Sequence, residues 1–177
     1  MPKKKTVQRA RRAKREGKSP STQAGEFVKE TIEEIRAGKH GARSTKQAIA
    51  IGLSKARRAG VDLPPPKKGT TSERTRRSAE RAYEKGQRGQ RKVNPRRSRA
   101  VREALQREGT EAASSEALSR QAKKQARRRT AGQRSAIAKK AARTRLAHQS
   151  PAERRRIARK AARTRAASKG SKATSAA

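Results

Sequence analysis

The sequence predicts an all-α protein with no large single core: a helical hairpin followed by short Ala- and Arg-rich helices joined by flexible or disordered segments. Three observations point there. Lys and Arg number 52 against 14 Asp and Glu in 177 residues, a formal charge of +38, and only 29% of residues are hydrophobic. Within that share 33 residues are Ala, against sixteen Val, Ile and Leu, one Phe, one Tyr and no Trp. So few large side chains do not offset about 1–2 kcal/mol of backbone entropy per residue along the whole chain, and low hydrophobicity with high charge marks segments that stay disordered or fold on binding. Finally, helix start and stop signals recur throughout, whereas strand-like alternation occurs only in AIAIGL (48–53), where the signals at both ends favour helix.

Residues 1–18, MPKKKTVQRARRAKREGK, read as a basic disordered arm, too polar to form an apolar helical face. They lack the apolar segment of a secretory signal; the Arg-rich, acid-poor composition is shared with organelle transit peptides, but a solvated arm is the simpler reading. Residues 19–63 hold the real core candidates. On a helix, Ala24, Phe27, Val28, Ile32 and Ile35 share one face, and Gly38 stands where that helix ends. Ser44 with Gln47 forms a capping-box pattern; Ala48, Ile49, Gly52, Leu53 and Ala56 then share a second face, and Gly60 closes it with Val61 packing back. The predicted hairpin core is Phe27, Val28, Ile32, Ile35, Ile49 and Leu53. It is marginal alone, so it is expected to pair with a second copy, lean on a later helix, or tighten when its charges meet a partner. The first helix carries Glu26, Glu30, Glu33 and Glu34 and the second Lys46, Lys55, Arg57 and Arg58, so these acids are placed to neutralise neighbouring basic helices.

Residues 64–69 follow as a stiff linker, because three successive prolines favour polyproline II. A basic helical segment spans 70–109: Thr70 with Glu73 suggests a capping box for a helix ending near Gly86, and Asn94 before Pro95 an N-cap for a helix stopped by Gly109. Residues 110–177 form an Ala/Lys/Arg-rich tail in which Ser114 or Ser115 opens EALSRQAKKQARRR.

That tail repeats itself. TAGQRSAIAKKAARTRLAHQ (130–149) aligns with SPAERRRIARKAARTRAASK (150–169), and the caps repeat too: Thr130 with Gln133, Ser150 with Glu153, with Pro151 at the first helical position. Ile157, Ala158, Ala161 and Ala162 fall on one arc of a helix and Arg155, Arg156, Arg159, Lys160 and Arg163 on the opposite one; Ile137, Ala138, Ala141 and Ala142 stand likewise against Lys139, Lys140 and Arg143. Each copy is thus expected to be a short helix with a narrow Ala stripe and a broad cationic face. Like charges at i,i+4 weaken such a helix, and phosphates would relieve them.

The expected function follows from charge density. Arg154 to Arg165 holds seven cations over about 18 Å of helix, while duplex DNA presents about one charge per 1.7 Å. Two tethered modules raise affinity through effective concentration. The expectation is sequence-tolerant nucleic-acid binding by phosphate neutralisation, duplex DNA favoured over RNA, by Arg127, Arg128, Arg129, Lys139, Lys140, Arg143, Arg155, Arg156, Arg159, Lys160 and Arg163, with Lys46, Lys55, Arg57 and Arg58 from the hairpin. This is a histone-like, nucleoid-associated role in the cytoplasm. The alternatives are an RNA- or ribosome-associated basic protein, and a protein-interaction hairpin whose tails are an electrostatic tether. A helix-turn-helix with Ser44 to Arg58 as recognition helix is a lesser alternative, because the connection is long. Aromatic stacking on single strands is a poor fit with only Phe27 and Tyr83.

No enzyme, cofactor or metal site is expected. There is no Cys, Asp62 is the sole Asp, and His40 and His148 sit beside turn signals as surface loop residues without a metal-ligand spacing. AGKHGARSTKQ (37–47) misses the phosphate-loop spacing. No apolar run approaches membrane-spanning length.

Lys46, Gln47, Ala48, Ile49, Ala50, Ile51, Gly52, Leu53, Ser54 and Ala56 give the chain a resemblance to a small bacterial domain family of uncharacterised function, centred on K-Q-A-I-A-I-[AG]-L-S-x-A and covering residues 19–61 here. The resemblance implies a bacterial or phage cytoplasmic protein and no known activity. The tail is similar to bacterial histone H1-like tails, departing from them in its capping boxes, its Arg content and its few prolines. SPAERRRIARKAARTR (150–165) also resembles a short motif of small bacterial stress-associated proteins.

Overall fold

The computed structural model describes residues 2–89 and 94–174, with the side chains of His148, Arg165 and residues 167–174 outside the described set. The fold is all-helical, without a single large core: eight α-helices and one 3₁₀ turn among the described residues. The chain divides into two units, Met1–Lys124 and Gln125–Ala177. The stretches read as arm, hairpin, linker and basic segment all fall in the first unit, and the division comes inside a helix.

The basic stretch 1–18, expected to be disordered, carries α1 (Lys4–Arg15). What it lacks in large apolar side chains it replaces with small ones: Thr6, Ala10 and Ala13, spaced four and three apart, are buried on α2 (Pro20–Arg36). Small side chains let the two backbones approach, and the long basic side chains leave on the other face. No side chain of Lys3 caps α1; instead the Lys3 backbone N–H donates to Glu30 Oε1 of α2 at 2.8 Å, a carboxylate at the positive end of the helix dipole. Arg9 lies 3.6 Å from Glu26 of the same helix. Glu30 is buried, and its Oε2 has no hydrogen-bond partner.

The predicted hairpin is formed by α2 and α3 (Thr45–Arg58). AIAIGL is helical, so the alternation there is not a strand. α2 ends with Lys39 N donating to Glu34 O and Gly38 N to Ile35 O, with Gly38 at φ 67°; α3 ends in the same way, Val61 N on Ala56 O and Gly60 N on Arg57 O. Ser44 caps α3 by accepting from Gln47 N at 3.2 Å, but the Gln47 side chain accepts from Arg43 N, one residue beyond the reciprocal capping-box partner. α3 crosses α2 at Gly52, where a Cβ would sit 2.6 Å from Val28 Cα.

Two small apolar clusters result. One joins Ala10, Ala24, Phe27, Ala56 and Val61, with Val7, Leu53 and Leu63 against them. The other joins Ile32, Ile35, Ala42 and Ala48 to Ala112 and Ala113, with Val28 and Leu118 against them. Phe27, Ile32 and Ile35 are core as expected, and Val28 and Leu53 line it half-buried. Ile49 is a correction: it is half-buried and outside both clusters, while its neighbour Ala48 takes the closed position.

The proline-rich stretch is strapped down. Arg57, only 7% exposed, donates from Nε to Leu63 O (3.1 Å) and from Nη2 to Pro64 O (3.3 Å). α4 (Glu73–Gln87) then packs on α3 through Ala79 and Ala82, with Tyr83 donating its hydroxyl to Asp62 at 2.6 Å. Its cap is Ser72, which accepts from Thr75 N, so the expected Thr70 start lies two residues early. α4 ends near Gly86 as expected, with Gly86 in its last turn; a Cβ there would collide with the Arg57 carbonyl.

α5 (Pro95–Gln106), capped by Asn94 as expected, has no buried residue. The chain then returns to the α2–α3 turn through a 3₁₀ turn, Glu111–Ala113, before α6 (Ser115–Arg127), which Ser114 caps through Ala117 N. The second unit holds the end of α6, α7 (Ala131–His148) and α8 (Pro151–Thr174). Both predicted capping boxes are complete: Thr130 and Gln133, Ser150 and Glu153, exchange side-chain-to-backbone bonds at 2.8–3.2 Å.

Candidate nucleic-acid interface

α7 and α8 carry no buried side chain among their described residues. Ile137, Leu146 and Ile157 are about half exposed. Leu146 stands nine residues from Ile137, half a turn round the axis, so the apolar stripe expected on α7 does not run its length. The helices are therefore held by their caps and backbone ladder, and their side chains face outward.

On α8, Arg155, Arg156, Arg159, Lys160 and Arg163 line one open recess together with Ala152. The spacing explains why: steps of three and four residues return to one flank, so five cations occupy about 12 Å of axis. Lys139, Lys140 and Arg143 are exposed at the equivalent register of α7, and Arg127, Arg128 and Arg129 are exposed where α6 ends. Cations at that end also meet the negative pole of α6. Arg165, in the second copy of the repeat, has its side chain outside the described residues.

Residues 125–177 contain seventeen cations and one acid. That acid, Glu153, is occupied: its Oε2 accepts the Ser150 N–H at 2.8 Å, and this bond together with the Ser150 hydroxyl holds its carboxyl below the usual range. No ion pair is formed within α7 or α8 among the described residues.

The hairpin cations divide. Lys46 and Arg58 are exposed. Lys55 is not free for phosphate, because its Nζ donates to Glu34 Oε2 at 2.6 Å with both side chains mostly covered. Desolvation pushes the Glu34 carboxyl up, and the Lys55 hydrogen bond and charge outweigh it, leaving the pKa lowered. Arg57 is buried under the proline-rich strap, and burial lowers its pKa. Both residues act as structural ties; their charge was legible in the sequence, their partners 21 and 6–7 residues away were not. His40 is likewise no open loop residue: it is mostly covered, with Nε2 3.6 Å from Glu34 Oε2 and Nδ1 3.1 Å from Gly41 O.

Sequence reasoning missed the cations of α1. Lys4, Lys5, Arg11, Lys14 and Arg15 are exposed and have no acidic partner among the described residues, whereas Lys18 and Arg12 bind Glu16 and hold its pKa at about 2. Burial of Thr6, Ala10 and Ala13 fixes which side of α1 these cations occupy. The beginning of α3, the end a recognition helix would present to base edges, is covered by the 3₁₀ turn through Thr45 Oγ1 and Ala112 O at 2.8 Å. No helix among the described residues is long and apolar enough to cross a membrane.

Residues 3–68 match a Family of unknown function (DUF6496). The matched stretch holds α1, α2, α3 and the arginine-bound proline strap, so it begins well before the residues that carried the expected resemblance; α4 to α8 lie outside it. No curated protein and no solved structure matches the chain.

Proposed function

We propose that the chain binds nucleic acid through phosphates without reading sequence, duplex DNA in preference to RNA, as a nucleoid-associated protein of the bacterial cytoplasm. One observation carries this reading: residues 125–177 set out seventeen cations with a single acid, and that acid is committed to a helix cap. Charge of this density without an internal counter-charge is relieved by a polyanion. The five-cation flank of α8 and its counterpart on α7 follow a helical spacing that suits a phosphate backbone. Arg127, Arg128 and Arg129 extend it, Lys46 and Arg58 contribute from the hairpin, and α1 supplies a further exposed set.

The test is competitive binding of the full-length protein to duplex DNA and structured RNA across about 50–300 mM salt. The expected result is duplex preference, with a log–log slope reporting six or more neutralised phosphates. RNA preference would replace the nucleoid role with an RNA-associated one, and a flat salt response would overturn phosphate neutralisation altogether.

A further inference from the structure

The α2–α3 turn is built to hold a piece of polypeptide backbone. Four donors converge on four carbonyls, one in the last turn of α5 and three in the segment that follows it: Gly41 N on Leu105 O (2.8 Å), Ala42 N on Gly109 O (3.0 Å), Thr45 Oγ1 on Ala112 O (2.8 Å) and Arg36 Nε on Ala113 O (2.8 Å). Gly41 is bare because a Cβ there would collide with the Glu108 carbonyl. Ala112 and Ala113, the latter fully buried, fill the space beside Ile32, Ile35, Ala42 and Ala48, and Leu118 closes over them. Without this occupant the buried Ile35 would lose one wall of its cluster. The groove's donors and apolar walls belong to residues 32–48, inside the family match, and the occupant lies wholly outside it.

α5, which precedes the occupant, buries no residue, and short of its last turn it packs substantially on no other element among the described residues. Recognition rests on backbone carbonyls and two alanines, features every copy of the chain presents identically. A segment held this way, behind a helix that buries none of its residues, fits the groove of a neighbouring copy as well as its own. We infer that the groove is an interaction site for the 105–118 segment of a second copy, so that chains link tail to domain by exchanging it. Within one chain the tether supplies the occupant at an effective concentration of about millimolar, which makes the exchanged form the concentrated-state form. This site is independent of nucleic-acid binding.

Two full-length variants test it. Gly41→Val blocks the groove and leaves the segment intact; Ala113→Arg spoils the segment and leaves the groove intact. Neither can close on itself, but together they make one good pair. Mass is measured by light scattering in high salt, with nucleic acid removed, for each variant and for the equimolar mixture. The expected result is single-chain mass for each and twice that mass for the mixture. Helical variants whose mixture stays at single-chain mass would overturn the proposal. Should Ala113→Arg lose its helicity alone, the readout becomes its rescue: recovery on adding a peptide of residues 105–118 supports the site, and no recovery at millimolar peptide overturns it.

Discussion

The two units spend their charge differently. Residues 1–124 hold 35 cations and 13 acids, and the acids of α2 are spread along its contacts with other elements: Glu26 toward Arg9, Glu30 on the start of α1, Glu34 on Lys55. Around those contacts the alanine-lined clusters close, and the helices pack although few of their side chains are large. Residues 125–177 have the same helix-forming composition and complete caps, yet their one acid stays local and no side chain among the described residues is buried. Alanine-rich basic helices thus pack when a neighbour supplies an acid and a small-residue stripe to meet them, and otherwise present their cations outward.

The largest effect that would break this contrast is in binding. Replacing Arg155, Arg156, Arg159, Lys160 and Arg163 with Gln is expected to lower duplex affinity at low salt and flatten the salt slope by about four to five, while the thermal transition of the first unit stays in place. With six to ten phosphates covered, the unaltered chain is expected to lose about 10³–10⁵ in affinity between 50 and 200 mM salt. An unchanged slope in the variant would move the interface off α8.

Next comes packing. Phe27→Ala empties the middle of one cluster and is expected to destabilise the first unit by about 3–5 kcal/mol, read from denaturant midpoints, with the tail's affinity for DNA retained. A tail that lost its affinity with the core would show the two regions to be coupled.

Smaller still are the caps. Thr130→Ala and Ser150→Ala are each expected to remove about 0.5–2 kcal/mol from α7 or α8, seen as lost helicity by circular dichroism. With no packing to compensate, these losses should exceed that of Ser44→Ala, whose helix is braced on α2.

The smallest effect concerns pH. The Glu34 carboxyl has a folded pKa below its ordinary value of 4.5, so the stabilisation it gives is present above that value and fades as pH falls through the folded one. Thermal midpoints are expected to drop on acidification below about pH 4.5, and Lys55→Met should shallow that drop. Equal acid sensitivity with and without Lys55 would assign it to other carboxylates.

What was legible in the sequence was local. Ser44, Asn94, Thr130 and Ser150 announce helix starts because the cap is made within three residues, and Gly38 and Gly60 announce ends because the left-handed turn is made by the glycine itself. The all-α class and the capped helices of the repeated tail follow from such signals. α1 was missed because its buried face is Thr6, Ala10 and Ala13, which a search for large apolar residues passes over. The ties of Lys55 to Glu34 and of Arg57 to the proline strap were not legible, because charge alone does not name a partner. The segment at 105–113 shows a helix stop at Gly109 but no mark of where it docks: its ties span 64 to 77 residues, and only the fold brings them together.

Tyr83 has a consequence of another kind. It is the sole tyrosine in a chain without tryptophan, and its hydroxyl is tied to Asp62, which holds its pKa above the usual value. The molecule therefore carries a native optical label with one address, the place where the proline strap meets α4. Lifting α4 frees the phenol to ionise at lower pH, so the onset of tyrosinate absorbance tracks that junction without any dye or engineered probe.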